Sequence, residues 1–327
     1  MIKSMTGFGR CEAADEKRKF TVEMKGVNHR YLDANIRMPK KLNFFESAIR
    51  SLLKESVHRG KVDIFITYED FSESQVSLKY NETLAAEYLE KFKMMEEKFG
   101  VTITEEKLRE QVKLSNQNRL ALRHFYELMK LDPPPMAGAD LYSVLYGSSF
   151  KFERKKAIDE VNALTERIQK EYDEGNRPIP KRPRILVTGC PIGGNAMKVV
   201  KSIEANGGNV VCFENCGGAK SVDELVDENA EDIYQAIADR YLNIGCSCMT
   251  PNENRLKLMG RLLEEYKIDA VVEVILQACH TYNVETLSVR KFVNEEKHIP
   301  YINVETDYSQ ADIGQLNTRI TAFIEML

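Results

Sequence analysis

The 327-residue chain has no apolar run approaching the roughly 20 residues that cross a bilayer, so no membrane span is expected. The opening stretch MIKSMTGFGR lacks the basic segment followed by an apolar one that marks an export signal. The expectation is therefore a cytoplasmic protein whose thiols stay reduced. No G-x-x-x-x-G-K-[ST] element occurs, which excludes a phosphate-binding loop of the ATP-hydrolysing kind. Neither a ferredoxin-type C-x2-C run nor a paired C-x2-C zinc pattern is present. Internal repeats and low-complexity tracts are absent too. Charge of one sign is scarce: the net is −4 and the pI near 5.9, which argues against a dedicated nucleic-acid binder. Residues 1–75 hold 14 Lys and Arg against 11 Asp and Glu, a net of +3, which leaves −7 for the rest. A local basic face on the first segment stays open.

What is present is a chain with 43% hydrophobic residues, long enough to bury the cores of two or three domains. Residues 1–80 read as a small α+β unit. TVEMK, RYLDANIRM and KVDIFITYE alternate apolar or β-branched side chains as strands do. Asn43 followed by Glu46 has the form of a capping box, opening a helix with Phe45, Ile49, Leu52 and Leu53 on one face. Residues 81–180 form a helical middle segment, interrupted at Pro133, Pro134 and Pro135 and resumed over 152–173, with the linker GNRPIPKRPR behind it. Residues 181–327 have the α/β rhythm. RILVTG, NVVCFE, DAVVEVIL and YINVET are short, continuously apolar strands, each followed by a helix-length stretch, as in a flavodoxin- or Rossmann-like parallel sheet covered on both faces. Ile313, Leu316, Ile320, Phe323, Ile324 and Leu327 give the last helix one apolar side.

Six of the seven cysteines fall in this last part. Cys190, Cys216 and Cys279 stand just past strand ends, where ligands bind in open parallel sheets. Cys212 lies inside an apolar strand and reads as a small core residue. Cys246 and Cys248, in GCSCMTPN, have a spacing that lets two sulfurs face one centre, or lets one point in while the other packs. The spacing alone leaves a metal or cluster site and buried structural thiols both open. GCPIGG and ENCGGAK sit between strand and helix, either as plain tight turns or as phosphate-cradling ones; the second would put Lys220 beside a Cys216 thiolate.

The motifs GCPIGG, FENCGGAK, IADRYLNIGCSCMTPN, LQACHTYNVE and VETDYSQADIGQLNTRITAFIEML, with NQNRLALRHFYELMKLDPPP and LYGSSF before them, resemble the 2-hydroxyacyl-CoA dehydratase D-component family and its double-cubane cluster branch from about residue 100 onward. The resemblance implies an oxygen-sensitive iron–sulfur reductase or lyase holding a [4Fe–4S] or double-cubane cluster. It also implies single electrons from an ATP-hydrolysing iron–sulfur activator protein, and a small-molecule or acyl-CoA substrate. By position it assigns Cys279 as a cluster ligand and Cys216, Cys246 and Cys248 as further ones, with His280 as a neighbour to the cluster or a plain helix-start residue. Family members carry a further α/β domain before the helical segment that supplies other cluster cysteines. In its place, MIKSMTGFGR, FTVEMKGVNHRYLDANIRMP and HRGKVDIFITYE resemble the N-terminal domain of the YicC/YloC endoribonucleases, loosely continued to about residue 95. That implies a homo-oligomer and RNA as a partner through Asn28, His29 and Arg30, unless these form a polar hairpin turn. The two resemblances abut near residues 90–100 inside a helical stretch, the pattern of a recombined gene. The leading expectation is thus an incomplete dehydratase-family component, and the alternatives are a YicC-like RNA-binding protein or a chimera without activity.

Overall fold

The computed structural model describes residues 6–15, 17–70 and 81–327. The chain divides into two compact units, Met1–Lys93 and Met94–Leu327. No helix among the described residues is long and apolar enough to cross a membrane.

The first unit contains β1 (Gly7–Ala14), β2 (Arg18–Val27), β3 (Leu32–Arg37), α1 (Glu46–Ser56) and β4 (Gly60–Asp70). Its sheet has the order β1-β2-β4-β3, antiparallel except for the parallel β3–β4 pair. The three alternating stretches become β2, β3 and β4. β1 carries no such alternation because it is an exposed edge strand along its whole length. The capping box does not form: Lys40–Phe45 is a 3-10 turn, and α1 starts behind it with Phe45 at the cap and no side-chain cap bond. The core of this unit is small, with Leu53, Val62 and Ile64 buried and Ile49 and Val57 packed against them. Leu52 therefore stays in solvent, and Phe45 stacks on Phe44 at 4.1 Å between ring centres instead of entering the core.

Helix α2 (Glu82–Phe99) spans the division between the units. The second unit continues with α3 (Glu105–Glu127), capped by Thr104 Oγ1 accepting from the Lys107 amide, then α4 (Gly138–Ser148) and α5 (Arg154–Asp173). Alternation follows: β5 (Arg184–Gly189), α6 (Lys198–Ala205), β6 (Asn209–Phe213), the single turn α7 (Ala219–Val222), α8 (Ile233–Leu242), α9 (Glu253–Glu265), β7 (Ala270–Leu276), α10 (His280–Arg290), β8 (Tyr301–Thr306) and α11 (Ile313–Ile324). Every strand of this second sheet is parallel, in the order β6-β5-β7-β8. β5, β6 and nearly all of β7 are buried residue by residue, as a sheet covered on both faces requires. Leu316, Ile320, Phe323 and Ile324 join this core, while Leu327 remains exposed past the last turn. Cys212 is fully buried in β6, where its sulfur meets the Tyr126 hydroxyl at 3.1 Å.

Candidate functional site

The strand order β6-β5-β7-β8 means that the chain leaves β5 toward one side to build β6 and returns on the other side to build β7. A crevice opens beyond the carboxyl ends of the strands at such a reversal. Cys190 and Cys279 follow the two strands, β5 and β7, between which this reversal occurs. Cys190 follows Gly189, whose φ of +98° lies in the left-handed region and whose missing Cβ would stand 2.2 Å from the Val274 carbonyl. That close approach lets the Cys190 amide donate to Val274 O at 2.8 Å and turns the thiol inward. Burial pushes the Cys190 thiol up to about 12, and its contact with Cys279 acts in the same direction. Cys279 sits at the N-cap of α10, behind Ala278 with φ +64°. Partial burial opposes its ionisation, but the Thr281 and Tyr282 amides, the Thr281 hydroxyl at 3.6 Å and the Cys190 thiol outweigh it, and the net is lowered. Those amides face the sulfur without closing an aligned cap bond.

The other thiols stand separately. Cys216 is exposed on the turn after β6, its sulfur 3.9 Å from the Tyr282 hydroxyl. Cys246 and Cys248 pair with each other: the Cys248 amide and thiol hold the Cys246 thiol below its ordinary value, and Cys248 is raised by the same contact. Asn252 Nδ2 fixes this loop by donating to the Cys246 carbonyl at 2.9 Å and to Glu285 Oε1 at 2.6 Å.

Beneath the cysteine loops lies a buried charge network. Arg255, from α9, is 1% exposed and reaches three carboxylates: Nη2 lies 3.0 Å from Glu273 Oε1, Nη1 2.5 Å from Glu285 Oε2, and Nε 3.5 Å from Glu214 Oε2. It also donates to Thr188 Oγ1 at 3.0 Å, and Thr188 donates to Glu214 at 2.5 Å. Tyr301 donates to Glu273 from the opposite side. Burial opposes the Glu214 charge, yet Arg255 and Lys220 together hold its carboxyl below the usual range, while burial dominates at Glu273 and raises it. Lys220 does not stand beside a Cys216 thiolate: it turns inward, with Nζ 2.9 Å from Glu214 Oε1 and 5.6 Å from the centre of the Tyr282 ring. The Lys220–Glu214 pair lies at ion-pair distance without an aligned hydrogen bond. Arg255 lies against the same ring at 5.1 Å. Tyr282 thus covers two buried cations and offers its hydroxyl to Cys216. Beside the Cys246–Cys248 loop a cavity of about 330 Å³ is lined by Met249, Asn252, Arg255, Val284 and Glu285.

Of the thiols singled out in the sequence, the structure places Cys216, Cys246, Cys248 and Cys279 on the loops at one end of the sheet, in pairs or alone. Among the described residues, no three Cys, His, Asp or Glu gather into a group that could hold a metal ion. As arranged, these sulfurs do not close a cradle around a cluster. His280 is exposed at the start of α10. The sequence reading passed over Arg255, Glu214, Glu273, Thr188 and Tyr282. The available signal was a carboxylate inside the apolar runs VVEVIL and VVCFE, because a charge inside a buried strand demands a partner.

Residues 70–327 match the family described as 2-hydroxyglutaryl-CoA dehydratase, D-component, and residues 2–127 match the N-terminal region of the endoribonuclease YicC-like family. The two matches overlap, so each reaches beyond the junction expected near residues 90–100. Among curated relatives, YjiM of Escherichia coli (strain K12), which carries the name of a dehydratase subunit, is 52% identical over 74% of this chain and 63% of its own length. YicC of Clostridioides difficile (strain 630), which carries the name of an endoribonuclease, is 43% identical over 31% of this chain and 34% of its own. The (R)-phenyllactyl-CoA dehydratase beta subunit of Clostridium sporogenes is 23% identical over 75% of this chain and 64% of its own. The chain spans less than two thirds of the length of each of these relatives.

Proposed function

This chain belongs to the 2-hydroxyglutaryl-CoA dehydratase D-component family, and from that premise we propose that it is a dehydratase-type iron–sulfur component whose second unit supplies part of a cluster shell. Members of the family are generally iron–sulfur proteins. The observation that carries the reading is the concentration of Cys216, Cys246, Cys248 and Cys279 at the carboxyl ends of a parallel sheet, around its topological switch point. These sulfurs are soft donors suited to iron, and sulfurs from outside this set complete the shell. A [4Fe–4S] or double-cubane cluster held in part by Cys216, Cys246, Cys248 and Cys279 would supply low-potential single electrons, received from an ATP-hydrolysing activator protein. An acyl-CoA or small-molecule substrate fits relatives named for phenyllactyl-CoA, 2-hydroxyglutaryl-CoA and lactoyl-CoA dehydratases. The chain's own residues contribute a rigid base: Arg255 of α9 ties Thr188 of β5, Glu214 just after β6, Glu273 of β7 and Glu285 of α10 to one another, and Tyr282 covers it. Anaerobic reconstitution with iron and sulfide tests the reading. Iron bound with visible charge-transfer absorbance supports it, and fewer than about one iron per chain without that absorbance removes the cluster.

A second reading concerns the first unit. Arg30 lies 5.5 Å from the centre of the exposed Tyr31 ring, and Arg37 lies 5.5 Å from that of Phe65, pairing cations with aromatic faces as single-stranded nucleic-acid surfaces do. RNA contact through this sheet predicts binding by the full chain that weakens steeply with salt. Binding that is absent or insensitive to salt overturns it.

A further inference from the structure

We propose that Cys190 and Cys279 are a redox pair that closes into a reversible disulfide beyond the carboxyl ends of β5 and β7, with a peroxide as oxidant. The two residues end neighbouring paired strands, since Gly189 is in register with Val274 across β5 and β7. One residue holds both: the Leu276 amide donates to the Cys190 sulfur at 3.3 Å, and the Leu276 carbonyl accepts from the Cys279 amide at 2.9 Å. Both side chains belong to one small apolar cluster with Ile275, Leu276 and Tyr282. The other thiols lack this arrangement. Cys212 is sealed in the core against Tyr126, Cys216 faces Tyr282, and Cys246 and Cys248 are neighbours on one loop.

Exposure sets the order of steps. Cys279 is half-exposed and meets the oxidant, whereas Cys190 is 1% exposed and resolves the product. With hydrogen peroxide, the Cys279 sulfur attacks one oxygen. An S–O bond forms, the O–O bond breaks, and the displaced hydroxide leaves as water with the thiol proton, giving a sulfenic acid. The Cys190 sulfur then attacks the Cys279 sulfur. The S–S bond forms, the S–O bond breaks, and the hydroxide takes the Cys190 proton as a second water. Two thiols are oxidised by two electrons and the peroxide is reduced to water. Closure brings the two sulfurs to about 2.05 Å, and Cys279, at the rim, is the partner free to move. Ala278 supports the assignment: a non-glycine residue at φ +64° just before Cys279 is an outlier of the kind found at functional turns.

The experiment uses the full-length chain, free of iron, reduced and desalted without oxygen. It is treated with an equimolar amount of hydrogen peroxide, alkylated under denaturing conditions and mapped by mass spectrometry without reductant. The expected result is a Cys190–Cys279 linked peptide as the main disulfide, lost on treatment with dithiothreitol. In Cys190→Ala, checked for folding by circular dichroism, Cys279 is expected to accumulate as a sulfenic acid trapped by dimedone. Should Cys190→Ala not fold, Cys279→Ser, at a half-exposed position, replaces it and is expected to leave Cys190 fully alkylatable after peroxide. Cys190 alkylated in treated wild-type protein, or a Cys246–Cys248 disulfide as the main product, overturns the proposal. Because no iron is present, the result is independent of whether the chain takes up a cluster.

Discussion

Arg255 Nη2 lies 3.0 Å from Glu273 Oε1, with both side chains sealed from solvent, so a guanidinium from the helix behind the Cys246–Cys248 loop neutralises a carboxylate in the middle of a central strand. Removing one partner of a buried ion pair leaves the other charge uncompensated, which costs about 3–5 kcal/mol. Arg255→Met is therefore expected to lower the urea midpoint of the second unit sharply, read by circular dichroism. Arg255→Lys should recover only part of the loss, because a single ammonium cannot span Thr188, Glu273 and Glu285 as the planar fork does. An unchanged midpoint in Arg255→Met would show that the network is not stabilising in this sense.

Acid stability should carry the signature of Glu214. Its carboxyl is held below the ordinary value near 4.5 because Arg255 and Lys220 together exceed the opposing effect of burial. A depressed folded value means that its contribution is present above the unfolded value and is lost as pH falls through the folded one. Glu273 has the opposite sign: burial raises it, so its contribution is present below the unfolded value and is lost as pH rises through the folded one. Denaturation midpoints measured against pH should show a weaker acid limb in Glu214→Gln than in wild type, while Glu273→Gln should flatten the region above about pH 4.5. A wild-type acid limb in Glu214→Gln contradicts this assignment.

Much of the second unit was legible because its strands are buried on both faces. A run such as RILVTG can hardly be anything else when helix-length segments flank it, and it became a strand over the same residues; YINVET did too, although β8, at the edge of the sheet, is only partly buried. β1 was not legible, since an exposed edge strand needs no apolar face, and GFGRCEAA shows none. The capping box misled for a related reason: Asn43 and Glu46 have the right spacing, but the chain before α1 tightens into a 3-10 turn and moves the helix start to Glu46, with Phe45 rather than Asn43 at the cap. For the site, cysteine positions relative to strand ends could be read, whereas their partners could not. That Cys190 and Cys279 share one cluster depends on β5 and β7 being sheet neighbours, and that Lys220 faces Glu214 depends on which way one turn folds.

Gly189 is the position at which a single methyl group should do most damage near the crevice. Its φ of +98° disfavours any side chain, and a Cβ there would press within 2.2 Å of the Val274 carbonyl, a backbone atom in a central strand that cannot swing aside. Gly189→Ala is expected to destabilise the second unit by at least about 2 kcal/mol, seen as a lower thermal midpoint. It should also reduce the yield of the Cys190–Cys279 peptide after peroxide, because the same turn aims Cys190. Gly194→Ala, at φ +50° but with open space around its Cβ, serves as the control and should lose less.

Ala278 offers the converse test. At φ +64° its Cβ crowds the following carbonyl, a strain of about 1–2 kcal/mol that glycine would not carry, against an entropic loss of about 0.5–1 kcal/mol for glycine in the unfolded chain. Ala278→Gly should therefore leave the thermal midpoint unchanged or raise it slightly, whereas Ala278→Val, β-branched at the same φ, should lower it. The two variants separate strain from thiol placement. A turn that only connects β7 to α10 would let Ala278→Gly form the Cys190–Cys279 disulfide as fast as wild type. A turn whose rigidity holds Cys279 against Cys190 would give slower closure in the more flexible glycine variant, despite its equal or greater stability, and the second outcome is the one expected.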